Sequence, residues 1–249
     1  MNITGNTILI TGGGSGIGRG LAEALQAKGN HLIIAGRREG ALRETAAANP
    51  GMAWQVLDVE DAGAIREFAA RIVAEHPALN VLVNNAGIMR AENLLAEPFD
   101  LADAEATITT NLLGPIRLTA ALLPHLRQQP SATVINVSSG LAFLPLSMTP
   151  TYCATKAALH SYSQSLRHQL RATSVRVIEL APPAVGTDLM PTSRGNPRSM
   201  SLEDYIAESM ALLRADPDAD EILVERVKML RNAEASGQYA QVFGVVNPA

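Results

Sequence analysis

Cysteine is nearly absent: Cys153 stands alone in 249 residues, which excludes an intramolecular disulfide and a cysteine-based metal cluster. The five histidines, at 31, 76, 125, 160 and 168, show no ligand spacing, so no metal is expected. A basic surplus is also missing, with 20 Lys and Arg against 24 Asp and Glu and a formal net charge of −4. That balance does not gather phosphate backbones or anionic lipid, so neither nucleic acid nor a membrane is an expected partner. No apolar run approaches the roughly 18 residues that cross a bilayer. The opening MNITGNTILITGG lacks a basic segment followed by a hydrophobic region and a cleavage site. It reads as a first strand, and the protein as cytoplasmic.

What is present is a rhythm. Short aliphatic or β-branched runs at Thr7 to Thr11, His31 to Ala35, Ala53 to Leu57, Asn80 to Asn84, Ala132 to Val137 and Val175 to Leu180 alternate with helical stretches such as Ile17 to Lys28, Ala62 to Glu75 and Ala157 to Ala172. With no repeat, linker or low-complexity segment, this predicts one α/β domain over residues 1–249. Its fold class is a Rossmann-like doubly wound parallel sheet of six or seven strands with helices on both faces. After Leu180 the pattern breaks at Pro182, Pro183, Pro191, Gly195 and Pro197, then gives helical stretches near Leu202 to Arg214 and Ala219 to Ala235. Residues 189–201 read as a mobile loop that covers the substrate.

The first strand runs through Thr11-Gly12-Gly13-Gly14-Ser15-Gly16-Ile17-Gly18 into a helix. Backbone N–H groups there can cradle a pyrophosphate, and glycine is needed because a Cβ would block its approach. The spacing, Gly-x3-Gly-x-Gly, is longer at the front than the Rossmann fingerprint. The second strand ends in Gly36-Arg37-Arg38, where an acidic residue would otherwise hold a ribose 2′-hydroxyl. A carboxylate would repel a 2′-phosphate and an arginine fork would bind it, so NADP(H) is favoured over NAD(H). Two solvated arginines are the competing reading. Asp58-Val59 and Asn84-Asn85-Ala86-Gly87 follow the third and fourth strands, so four segments converge on one crevice. Asp58 can accept from an adenine amino group or serve as a helix cap or turn residue.

The fifth strand delivers Ser138 and Ser139 to the same edge, Tyr152 and Lys156 follow after a twelve-residue gap from Ser139, and Pro150 suits the first turn of the next helix. Spaced by four, Tyr152 and Lys156 share a helix face. A carbonyl that accepts hydride needs a proton, which a phenol can donate and its phenolate can take back. The tyrosine pKa of about 10 must then fall toward neutrality, and Lys156 together with an oxidised nicotinamide would supply positive charge. Ser139 would hold the substrate oxygen.

With the cradle, Asn85-Ala86-Gly87, Ser139, Tyr152 and Lys156 together, residues 5–188 resemble the short-chain dehydrogenase/reductase family. The resemblance implies that Gly12, Gly16 and Gly18, with Ser15 and Ile17 between them, carry the phosphate turn. It also implies that Asn85, Ala86 and Gly87 support the strand beside the cofactor, and that Asn111 is a fourth catalytic residue on a water-linked proton path to Lys156. The family's usual Asn-Pro-Gly reads Ala181-Pro182-Pro183 here, while Pro182, Val185 and Thr187 match nicotinamide contacts. The activity implied is interconversion of a small alcohol and a carbonyl. A regulatory dinucleotide sensor and an epimerase or dehydratase without net redox are the competing classes.

Assembly as a homodimer through the helices containing Asn111 and Tyr152, or as a homotetramer, is implied as well. The absence of the family's Asp-Gly-Gly ending leaves open a seventh strand at residues 239–246. Leu141, Phe143, Leu144, Met148, Leu189 and Met190 either line an apolar pocket or cover the sheet edge. Arg194 or Arg198 either meets a substrate carboxylate or is solvated. Cys153 reads as packing.

Overall fold

The computed structural model describes residues 1–98, 100–190 and 195–248. Six parallel strands fall where the apolar runs place them: β1 (Thr7–Thr11), β2 (His31–Gly36), β3 (Ala53–Val56), β4 (Leu79–Asn84), β5 (Ala132–Val137) and β6 (Val175–Leu180). A two-residue β7 (Glu221–Ile222) joins the far edge, giving a seven-stranded sheet in the order β3-β2-β1-β4-β5-β6-β7. The order reverses between β1 and β4, and the crevice beyond their carboxyl ends is where such sheets hold ligands.

Strand side chains alternate between two cores. Ile8, Ile10, Leu32 and Ile34 pack with Leu21 and Leu25 of α1 (Gly16–Gln26) and Tyr205 and Leu213 of α7 (Leu202–Ala215) on one face. Leu9, Ile33, Val134 and Val177 pack on the other with residues of α3 (Ala62–Glu75), α5 (Gly114–Leu126) and α6 (Pro150–Leu170). Burial on both faces is why these strands are almost continuously apolar. Two further helices, α2 (Glu39–Ala48) and α4 (Ala102–Ile108), complete the cover, and α4 passes into α5 through a π-helical turn, Thr109–Leu113. No helix among the described residues is long and apolar enough to cross a membrane.

Helix α6 begins at Pro150, because proline suits the first turn, where no intrahelical N–H bond is lost. Tyr152 and Lys156 therefore sit on its first two turns. Residues 219–235 are not one helix: Glu221 and Ile222 pair with Glu179 and Leu180 at the sheet edge. A 3-10 turn (Glu225–Val227) and the short α8 (Lys228–Arg231) follow. The seventh strand thus lies here, while residues 239–246 form α9 (Tyr239–Val246), which seats Val242 against Leu144 and Ala233. The 189–201 excursion is pinned at its base by a bridge between Val185 and Met200. Residues 191–194 of that excursion, Arg194 included, lie outside the described residues.

Candidate active site

The cradle forms as the glycine spacing requires. Gly12 has φ +69°, and Gly18 packs so closely that a Cβ on it would lie 2.3 Å from the Gly12 carbonyl oxygen. Asn85 Nδ2 donates to the Thr11 and Gly12 carbonyls at 2.9 and 3.4 Å, and Thr11 Oγ1 accepts from the N–H groups of Asn85 and Ala86 at 3.0 and 3.1 Å. The ends of β1 and β4 are thereby locked together. Ser15, at the N-cap of α1, makes no side-chain cap bond, and the first turn holds no acidic residue. Its N–H groups and partial positive charge are free to meet an anion. Ile17 is half-buried against the first core.

Arg38 Nη2 donates to Ser15 Oγ at 2.7 Å, so this arginine reaches back from the end of β2 to the cradle. Arg37 is exposed and its Nη1 pairs with Glu60 Oε1 at 2.7 Å. A glycine cradle that a Cβ would fill and an acid-free helix start fit the pyrophosphate of a nicotinamide dinucleotide. Asp58 Oδ1 accepts from Glu60 N at 3.0 Å, a turn contact, while the α3 cap is Asp61. Val59 is buried in the second core. Thr187 lies beside the cradle, its Cβ and Cγ2 each 3.5 Å from where a Gly16 Cβ would stand. Pro182 accepts from Gly140 N at 2.8 Å, and Val185 is buried in the first core.

Ser139, Tyr152, Lys156 and Asn111 are all buried and close together. Lys156 Nζ lies 5.5 Å from the centroid of the Tyr152 ring and donates to the Val137 carbonyl at 2.8 Å, tying α6 to the end of β5. Burial pushes the Tyr152 phenol up to about 12, and the Ser139 hydroxyl pulls the other way. At the phenol desolvation dominates, and Lys156 gives a donor to a backbone carbonyl. Burial brings Lys156 down to about 8, opposed by the charge of Glu179.

Asn111 sits in the π-helical turn before Gly114-Pro115. Its Oδ1 accepts from Ile88 N at 2.8 Å, and its Nδ2 donates to Ile88 O at 2.8 Å and Thr155 Oγ1 at 3.3 Å. It fixes the chain just after Gly87 against α6. Two of the apolar candidates face elsewhere: the Phe143 ring meets His160 and Arg231, and Leu144 is core. Arg198 is exposed.

Sequence reasoning missed a buried carboxylate behind the trio. Glu179 accepts from Ser138 Oγ at 2.5 Å and His160 Nδ1 at 2.6 Å. The signal was available, since a carboxylate deep in the strand run Val-Arg-Val-Ile-Glu-Leu needs a partner when buried.

A family profile described as short chain dehydrogenase matches residues 6–197. The uncharacterized oxidoreductase DltE of Bacillus subtilis (strain 168) is 43% identical over 251 residues, covering 99% of this chain and 98% of that protein. Among solved structures, a short chain dehydrogenase from Burkholderia cenocepacia J2315 in complex with NADP superposes with TM-score 0.82 at 24% identity over 100% of both chains. A 3-ketoacyl-(acyl-carrier-protein) reductase from Brucella melitensis complexed with NADH superposes with TM-score 0.79 at 25% identity, over 88% of this chain and 96% of that one.

Proposed function

Because this chain belongs to the short-chain dehydrogenase/reductase family of oxidoreductases, we propose that it interconverts a small alcohol and its carbonyl with NADP(H). Tyr152 is the acid/base, Lys156 its electrostatic partner and Ser139 the holder of the substrate oxygen. The observation that carries this reading is the convergence of those three buried side chains at the sheet edge that carries the glycine cradle.

When bound, the nicotinamide ring supplies or accepts the hydride. The chain's own residues handle the proton. A phenol near 12 stays protonated at neutral pH, so Tyr152 is a ready donor to a carbonyl oxygen held by the Ser139 hydroxyl. In the oxidative direction the phenolate must form, and the Lys156 ammonium is the fixed charge that stabilises it. With Lys156 near 8, that ammonium is present at neutral pH and lost as pH rises through 8. Reductive turnover should therefore fall on the alkaline side of that value.

The preference for NADP(H) rests on Arg37 and Arg38, since the solved relatives carry either dinucleotide. The exposed apolar residues Leu101, just before α4, and Ile108 at its end support assembly as a homodimer or homotetramer through that side. We read residues 1–249 as one domain in which the 189–201 excursion covers the substrate.

The test is a screen of ketones, aldehydes and alcohols by cofactor absorbance with each dinucleotide. Arg37→Ala and Arg38→Ala are each expected to raise the Kd for NADPH about tenfold or more, since a charge-assisted bond contributes about 1.5–3 kcal/mol. NADH binding should stay unchanged. Equal affinity of the unaltered protein for both dinucleotides would remove the argument from the arginines. Tight binding without turnover on any substrate would favour the sensor reading.

A further inference from the structure

Glu179 has no part in the relay just described, yet it is fully buried directly behind it. Groups from five elements face its carboxylate. Ser138 at the end of β5 and His160 on α6 donate to it, and Lys156 lies one helical turn before His160. Glu221 on β7 is its register partner in the adjacent strand. Arg231 on α8 binds both Glu221 oxygens, Nε at 2.8 Å and Nη2 at 3.1 Å. Phe143, from the loop after β5, closes the cluster, its ring 4.8 Å from that of His160 and 4.7 Å beneath the Arg231 guanidinium.

Arg231 is committed to Glu221. His160 Nδ1 lies 2.6 Å from Glu179 Oε2, and its Nε2 meets the Gln164 amide, 3.1 Å away. The nearby lysine is Lys156, whose Nζ is bound to Val137, the residue next to Ser138. A buried charge that lacks a counter-charge is strongly disfavoured, so Glu179 and Lys156 each favour the ionised form of the other.

We propose that Glu179 is a positioning residue for the active site, a buried carboxylate that keeps Lys156 in the ammonium form and, through Ser138, fixes the strand end that presents Ser139. The inference rests on the role given to Lys156 above. The Glu221–Arg231 pair is part of the device: it satisfies the second carboxylate and keeps Arg231 from neutralising Glu179. The charge of Glu179 is also what opposes the downward pull of burial on Lys156. His160, Glu179 and Glu221 have ligand atoms within 4.8 Å of one another, but Arg231 occupies both Glu221 oxygens, which favours the charge relay over a cation.

The chain has three lysines, at 28, 156 and 228, so the titration of Lys156 can be followed by NMR in protein labelled at lysine Cε. Lys28→Arg and Lys228→Arg assign the signals. Glu179→Gln keeps the size and hydrogen-bonding capacity of the side chain and removes its charge, and should lower the Lys156 midpoint by about one pH unit or more. Glu221→Gln should lower it too, by releasing Arg231 toward Glu179, and it keeps the test available if Glu179→Gln does not fold. Ser138→Ala keeps the charge and should leave the midpoint within a few tenths of a unit. An unmoved midpoint in the Glu179 and Glu221 variants would overturn the proposal. So would a rise in Tm on adding Zn2+ that Glu179→Gln abolishes, because the cluster would then be a cation site. None of these measurements needs a substrate, so absence of Tyr152-dependent turnover would count against the enzymatic reading alone.

Discussion

At the scale of single residues, the site is built from groups held in costly states. Lys156 is the clearest: its folded pKa of about 8 lies below the ordinary 10.5, so the unfolded chain binds the proton more tightly. The cost is fully present below pH 8 and is relieved as pH rises from about 8 toward 10.5. Tyr152 has the opposite sign, because its raised pKa contributes stability below pH 10 that is lost as pH climbs from 10 toward about 12. The expected outcome is that Lys156→Met abolishes turnover and removes the rise in stability between pH 8 and 10.5. Chemical denaturation across pH checks this. The trio itself was legible in sequence because Tyr-x3-Lys needs only a helix, and the serine only a strand end. Glu179 was passed over because the run Val175 to Leu180 was judged by its period and not by what a charge inside it must find as a partner.

At the scale of elements, the cradle depends on backbone approach, and glycines with different surroundings separate function from propensity. A Cβ on Gly18 would meet the Gly12 carbonyl at 2.3 Å, whereas one on Gly40, inside α2, meets nothing within 4 Å. Gly18→Ala should destabilise the chain by about 1–3 kcal/mol and abolish dinucleotide binding. Gly40→Ala should stabilise it by about 0.5–1 kcal/mol with binding intact. Thermal melts and dinucleotide titration read both. Six strands were legible because a sheet covered on both faces demands short apolar runs. Strand β7 was not, since Glu-Ile becomes a strand only through pairing with the edge of β6. With that edge occupied, the apolar residues of 239–246 were free to fold as a helix over Leu144. The start of α6 was legible in Pro150.

Across the whole molecule, the C-terminal helix reaches back to the loop between Ser139 and Tyr152. Asn247 accepts from Ser147 N through Oδ1 at 2.6 Å and donates from Nδ2 to the Pro145 carbonyl at 3.0 Å. That clamp holds the loop from outside the part of the chain that carries the family motifs. Asn247→Ala removes both bonds, about 1 kcal/mol each. It is expected to raise KM for the carbonyl several-fold with kcat little changed, and steady-state kinetics read the split. A fall in kcat alone would assign the clamp to chemistry instead of substrate binding.

The central claim is that the Tyr152 phenol moves the proton while the cradle holds the dinucleotide, and one comparison reaches it most directly. Tyr152→Phe should bind NADPH with the same Kd as the unaltered protein and lose turnover of the best carbonyl substrate by at least about a hundredfold. Undiminished turnover in that variant would contradict the account.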